Sequence, residues 1–385
     1  MQPSAWFSRV LRLSTVWAGV AAAASSAGGL DYVTVRVGDD QRPIAGRVEI
    51  EAEDGGVLLL ARDGALWAVK KEDLIARRSD AKPFAPLTRE ELARQLQGEL
   101  PGFRVHTTQH YLICYNTSPA YARWVGGLFE GLYKAFYNYW TRRGAVLHDP
   151  PFPLVAVVFD AQAAFQKHAR SELGEAAQSI IGYYNLHTNR MTMYDLTGVE
   201  AAGGNERTAS ARIQQILSQP GAERTVATIV HEATHQLAFN SGLQVRFADV
   251  PLWVSEGIAI YFETPNLEST KGWRNVGAVN RFNLVNFRKY LPRRPPGSLP
   301  QLLLDDKRFR DSAAAPDAYA EAWALTYFLL QTRGEAYVRY LKTLAEQKPL
   351  VDVSPQQRLA DFKRFFGDDL VALENEFLRY FRSLP

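Results

Sequence analysis

The segment TIVHEATHQLAF, residues 228 to 239, constrains this chain more than any other. Val226, Ile229, Val230, Ala233 and Leu237 recur at helical spacing and share one apolar face. Ala227, His231, Thr234, His235 and Ala238 make the adjoining face, where residues four apart stand one turn above each other. Pro220-Gly221 before it and Asn240-Ser241-Gly242 after it bound a helix of about 18 residues. The bland reading is a helix with two half-exposed histidines and a salt-bridging glutamate. That reading wants charged neighbours, yet Ala233 and Thr234 lie between the histidines, with Val230 before and Leu237 after. Two neutral imidazoles presented this way can grip one metal ion. Glu232 is turned aside from them and is better placed to hold a water than to bind the metal, the division of roles in an H-E-x-x-H helix.

A third ligand stands 21 positions beyond His235. VPLWVSEGIAIYFETP places Glu256 inside a second apolar helix bounded by Pro251 and Pro265. A carboxylate buried alone there is costly, and a cation offsets the cost. Zinc hydrolases use three protein ligands and keep one position open for water. His231, His235 and Glu256 supply that set, so one Zn2+ ion is the expected cofactor. Gly257 is expected to let this helix approach the histidine helix closely. The alternative for Glu256 is a salt bridge to Arg281 or Arg288.

The remaining chain sets the context. Arg9 and Arg12 precede an apolar run from Leu13 to Ala24 that is too short to span a bilayer, and small residues follow. Residues 1–27 therefore read as a secretory signal cleaved after Ala27, with a short membrane anchor as the alternative. No later run is long and apolar enough to cross a membrane. The expected location is outside the cytoplasm: periplasmic, cell-surface or secreted. The one cysteine, Cys114, permits no internal disulfide and reads as a buried, inert thiol. With 46% apolar and 22% charged residues, 385 residues can build one large domain and a small one. A net charge of +3 with mixed signs argues against a nucleic-acid partner or a polybasic membrane patch.

From 31 to 80 the pattern is short β-branched or apolar runs, with Asp54-Gly55 and Asp63-Gly64 as hairpin signals. Four or five strands there predict a small all-β, SH3-like domain, whose expected partner is a surface or protein ligand. Residues 81–102 read as a linker with a short helix opened by a Thr88/Glu91 capping box. From 103 to 385 strands and helices alternate, and after Ala209 the chain reads as almost wholly helical. The fold class is α+β.

His231-Glu232-Ala233-Thr234-His235 followed by Trp253-Val254-Ser255-Glu256-Gly257-Ile258-Ala259 resembles the gluzincin zinc metallopeptidases. AYAEAWALTYFLL (Ala318–Leu330) is similar to a third element of peptidase-MA-like domains. TQHYLICYNTSPAYARWVG and FYNYWTRRG resemble a family of exported bacterial proteins of unknown function that carry this domain. The resemblance spans roughly residues 103 to 345 and implies a thermolysin-like zincin domain over 103–385. It also implies a role for Tyr319, 63 positions after Glu256, as a phenol that steadies a developing oxyanion. Tyr327 is the weaker candidate, and packing against Trp323 is the structural alternative for Tyr319. No aminopeptidase-type exopeptidase motif precedes the histidine helix.

The expected activity is zinc-dependent hydrolysis of a peptide or protein substrate, with Glu232 as the base. The alternative is an exported binding or interaction protein whose zinc site is structural or has lost catalysis. His187 is read as a hairpin-tip surface histidine that stands near the site in the less favoured reading. His106, His110, His148 and His168 are read as solvent or packing residues. Asp249 is read either as a carboxylate orienting a ligand imidazole or as a helix cap.

Overall fold

The computed structural model describes residues 29–198, 206–217, 219, 222–264 and 276–385. The expected export signal, the Pro220-Gly221 helix start and Pro265 lie outside these residues.

The N-terminal β region is a five-stranded antiparallel sheet in the order β4-β3-β2-β1-β5. Its strands are β1 (Gly29–Val37), β2 (Asp40–Glu51), β3 (Val57–Ala61), β4 (Leu66–Val69) and β5 (Leu74–Pro83). The two Asp-Gly pairs make the β2–β3 and β3–β4 turns. Gly55 and Gly64 have φ of 87° and 89°, values that a side chain would strain. Asp54 and Asp63 accept hydrogen bonds from the backbone two residues on, at 2.9 and 3.1 Å. Val33, Val35, Val48, Val57 and Leu59 form a small core of their own. Helix α1 (Arg89–Glu99) follows, with the expected capping box at Thr88 and Glu91.

The second sheet has the order β6-β7-β8-β10-β9. It comprises β6 (Arg104–Thr107), β7 (Tyr111–Tyr115), β8 (Leu154–Phe159), β9 (Gly182–Asn185) and β10 (Arg190–Tyr194). β7, β8 and β10 are parallel, while β6 and β9 are antiparallel edges. Helix α2 (Pro119–Arg142), capped by Ser118, joins β7 to β8, and α3 (Gln162–Leu173) follows β8. The sheet is covered on both faces, so β7 and β8 are buried at every residue and read as unbroken apolar runs rather than alternating ones. Leu112, Cys114, Val155 and Val157 pack with Leu92, Leu96 and Phe165 on one side, while Ile113, Ala156, Val158 and Tyr184 join the main core on the other.

The two sheets meet at the tip of the β9–β10 hairpin. The Leu66 N–H donates to the His187 carbonyl at 2.8 Å, and His187 Nδ1 returns a bond to the Leu66 carbonyl at 2.5 Å. Trp67 stands edge-on to the His187 ring at 4.5 Å. His187 is therefore not a solvent-facing tip. The strand pattern marks the turn but gives no sign that a second sheet will sit on it.

The helical half comprises α4 (Glu206–Leu217), α5 (Ala222–Asn240), α6 (Leu252–Phe262), α7 (Arg281–Tyr290), α8 (Ser298–Leu304), α9 (Lys307–Arg310), α10 (Ala315–Thr332), α11 (Gly334–Ala345), α12 (Pro355–Phe366) and α13 (Leu370–Ser383). The architecture is thus α+β, with a β region first and a helical C-terminal half. Among the described residues no helix is long and apolar enough to cross a membrane. α5 is stitched to the sheet by Gln236, whose amide donates to the carbonyls of Val155 and Asn189 at 3.0 Å each. α6 is buried at every position. A Cβ on Gly257 would lie 2.1 Å from Thr326 Oγ1 and 2.8 Å from the Ala322 carbonyl, so this glycine admits α10, not the histidine helix α5.

Candidate metal centre

α5 and α6 bring the three expected ligands together. His231, His235 and Glu256 are 1%, 1% and 0% exposed, and their ligand atoms lie within 4.8 Å of one another. The two Nε2 atoms are 3.1 Å apart. Glu256 Oε2 is 3.1 Å from His231 Nε2 and 3.8 Å from His235 Nε2. Tetrahedral ligands at about 2.0–2.2 Å from a shared ion stand about 3.3–3.6 Å from each other. The observed separations bracket that range.

Glu256 supplies a second test of fit. Among the described residues neither carboxylate oxygen has a hydrogen-bond partner, although the group is fully buried. The 3.1 Å approach of His231 is off hydrogen-bond geometry, so it does not satisfy the carboxylate. Arg288, one of the alternative partners, donates instead to the Leu384 carbonyl. A buried, unsatisfied carboxylate facing two imidazole nitrogens is a donor set for a cation. The group can hold a metal ion.

The far side of each imidazole is also held. His231 Nδ1 donates to Glu263 Oε1 at 2.7 Å, and Asn280 braces the other Glu263 oxygen at 3.3 Å. His235 Nδ1 lies 3.4 Å from Ser255 Oγ, which donates to Gln244 Oε1 at 3.1 Å. A donor hydrogen at Nδ1 leaves the lone pair at Nε2, where the two rings converge on Glu256. Asp249 plays no part in this: it accepts from Arg358 at 2.5 Å and from the Val353 N–H at 2.8 Å.

Glu232 is 2% exposed and points to the edge strand, where its Oε2 accepts the Tyr184 N–H at 2.9 Å. Burial raises its pKa to about 7, against the lowering pull of His231 and of the Tyr184 bond. Tyr319 is buried near the start of α10 with its ring edge-on to Phe309 at 5.2 Å. Trp323 tilts against Tyr327 and Phe381, at 5.6 and 5.8 Å.

Four contributors have no plain sequence signature. Glu263 lies just past α6, two residues before a proline, and looks like a surface acid. Ser255 and Gln244 are small or neutral. Tyr184 contributes its backbone N–H, which almost any residue has. Glu263 alone could have been found, because it lies two turns beyond Glu256 and so on the same side of α6.

No curated protein matches the chain. Residues 225–351, about a third of the chain, match a family described as a protein of unknown function (DUF1570), and that span contains His231, Glu232, His235, Glu256 and Glu263.

Proposed function

We propose that this chain is a zinc-dependent hydrolase of the gluzincin type that cleaves peptide bonds. The observation that carries the reading is the buried His231–His235–Glu256 group with an unsatisfied carboxylate, beside a glutamate held by the edge strand β9. Zinc bound there supplies Lewis acidity to a scissile carbonyl and to water at the site.

The protein's own groups divide the remaining work. Glu263 and Ser255 orient the two imidazoles. The Tyr184 N–H holds one Glu232 oxygen, leaving Oε1 to take a proton from water and pass it to the leaving amine. Tyr319 is the proposed oxyanion donor on the strength of its spacing. Export, read from residues 1–27, puts the substrate outside the cytoplasm.

The test combines elemental analysis with digestion of casein or a peptide library, with and without chelator. The expected result is one zinc per chain, cleavage that chelator abolishes, and loss of zinc in Glu256→Ala. Glu232→Gln is expected to keep zinc and lose turnover. Stoichiometric zinc without any cleavage would leave a structural or binding site instead.

A further inference from the structure

A cleft of about 700 Å³ opens where the linker after β5 meets the β6–β7 turn, α2 and the loop before β8. None of the residues that line it belongs to the metal centre, and its size is that of a ligand site. Its walls are fixed from behind. Arg62 pins the linker: its Nε donates to the Ala85 carbonyl at 2.9 Å, and its carbonyl accepts the Leu87 N–H at 2.8 Å. Arg89 donates to the carbonyls of Gln109 and of Thr108, the latter at 2.8 Å. Glu130 holds that turn in place, accepting from the Thr108 hydroxyl and the His110 N–H at 2.7 Å each. Pro86 stiffens one flank, and Pro150, Pro151 and Pro153 stiffen the other. A cleft built this way stands before any ligand arrives, so binding costs little ordering on this side.

The lining narrows the class of ligand. Tyr133 and Phe152 are its most buried rings, 6% and 4% exposed. Tyr133 is sandwiched between His110 at 3.7 Å and Tyr137 at 4.3 Å, so both its faces are taken. The β3–β4 turn covers Phe152, where a Cβ on Gly64 would stand 3.0 Å from the ring. A flat sugar wants an open aromatic face, and these rings leave mainly edges. Ring edges carry positive potential and attract carbonyl oxygens. On the rim, the exposed side chains of Gln109 and Lys134 add N–H donors and make no bond to other described residues. Apolar bulk beside donors suits a ligand with apolar rings and bare carbonyls. A polyproline II segment is such a ligand, since its carbonyls have no internal partners. Asp149, also on the rim, is exposed and accepts only the Tyr133 hydroxyl, at 3.4 Å. It forms no ion pair among the described residues, so it offers a place for a cation.

We propose that this cleft binds a proline-rich segment of a partner protein in the polyproline II conformation, with a basic residue of that segment on Asp149. The site is separate from the metal centre, and the proposal stands or falls independently of the hydrolase reading.

The test is fluorescence anisotropy on Glu232→Gln protein, a background chosen so that the probes stay intact. Three labelled peptides are compared: a proline-rich one with a single flanking arginine, the same with glutamate for the arginine, and the first with alanine for every proline. The expected result is roughly 10-fold tighter binding of the first than of either other, the scale of one charge-assisted contact. Adding Asp149→Lys is expected to reverse the order of the first two, with the melting temperature kept. Gln109→Ala, which removes an exposed side chain without a structural bond, is expected to weaken the first peptide several-fold. The proposal is overturned if no peptide binds, if the alanine peptide binds as tightly, or if the preference for arginine survives Asp149→Lys. Binding of a neutral oligosaccharide in place of the prolyl peptide would also overturn it, by making the cleft a sugar site.

Discussion

At the residue scale, the proposed zinc site depends on groups outside its three candidate ligands. Carboxylates that orient a ligand imidazole typically contribute 10–100-fold to metal affinity. Glu263→Gln is therefore expected to weaken zinc binding by about that factor in a chelator competition, with folding kept. An unchanged affinity would remove Glu263 from the site. Gly257 makes a packing prediction: a methyl there meets Thr326 Oγ1 and the Ala322 carbonyl, so Gly257→Ala should destabilise by about 1–3 kcal/mol in urea denaturation. The ligand residues were legible because imidazoles four apart and a lone acid in an apolar helix break the pattern around them. The glycine was legible as a close approach, but its partner was not, since a missing side chain does not say which helix fills the space. Asp249 misled for a similar reason: its partner, Arg358, lies 109 positions away.

At the scale of elements, the β9–β10 hairpin is held from both ends. Its first strand meets Glu232 on α5 through Tyr184, and its tip is clasped by β4 through His187. Strands, turns and the cap at Thr88 were readable because each depends on residues close in sequence. The clasp was not, because it joins Leu66 to His187, 121 positions apart, largely through backbone groups. Burial lowers the His187 pKa, outweighing the Leu66 carbonyl that favours its proton. The unfolded chain thus binds a proton more readily than the fold does. The stability this group contributes is complete above the ordinary histidine pKa of about 6.5 and is lost as pH falls through the lower folded value. Melting curves of wild type and His187→Gln should therefore converge as the pH is lowered from 7 towards 5. A gap that widens would contradict the shift.

At the scale of the whole molecule, the helical half is pinned by a buried ionic knot. Glu321, fully buried, accepts from Arg294 at 2.8 Å, Ser298 at 2.7 Å and Arg308 at 2.7 Å, joining α8, α9 and α10. Arg294 also reaches Glu374 of α13 at 2.5 Å. Removing one partner strands the others in the interior. Glu321→Ala should therefore cost about 3–5 kcal/mol in urea denaturation. The exposed Arg293–Asp317 pair, with the arginine side chain 58% exposed, should be worth under about 1 kcal/mol when Asp317 is replaced by Asn. Similar losses for the two would refute the contrast. The order of β region and helical half could be read from hydrophobic periodicity. This knot could not, because isolated arginines and glutamates look alike whether they face water or one another. The unsatisfied Glu256 carboxylate reaches beyond its own site in the same way. A fold that shelters an unneutralised acid is strained until a cation arrives, so occupancy and heat resistance are linked. Free ion at a hundred times its dissociation constant adds about 2.7 kcal/mol. Stripping with chelator should lower the melting temperature and adding back zinc should restore it, which turns a simple dye-based melt into a gauge for ranking candidate metals before any substrate is known.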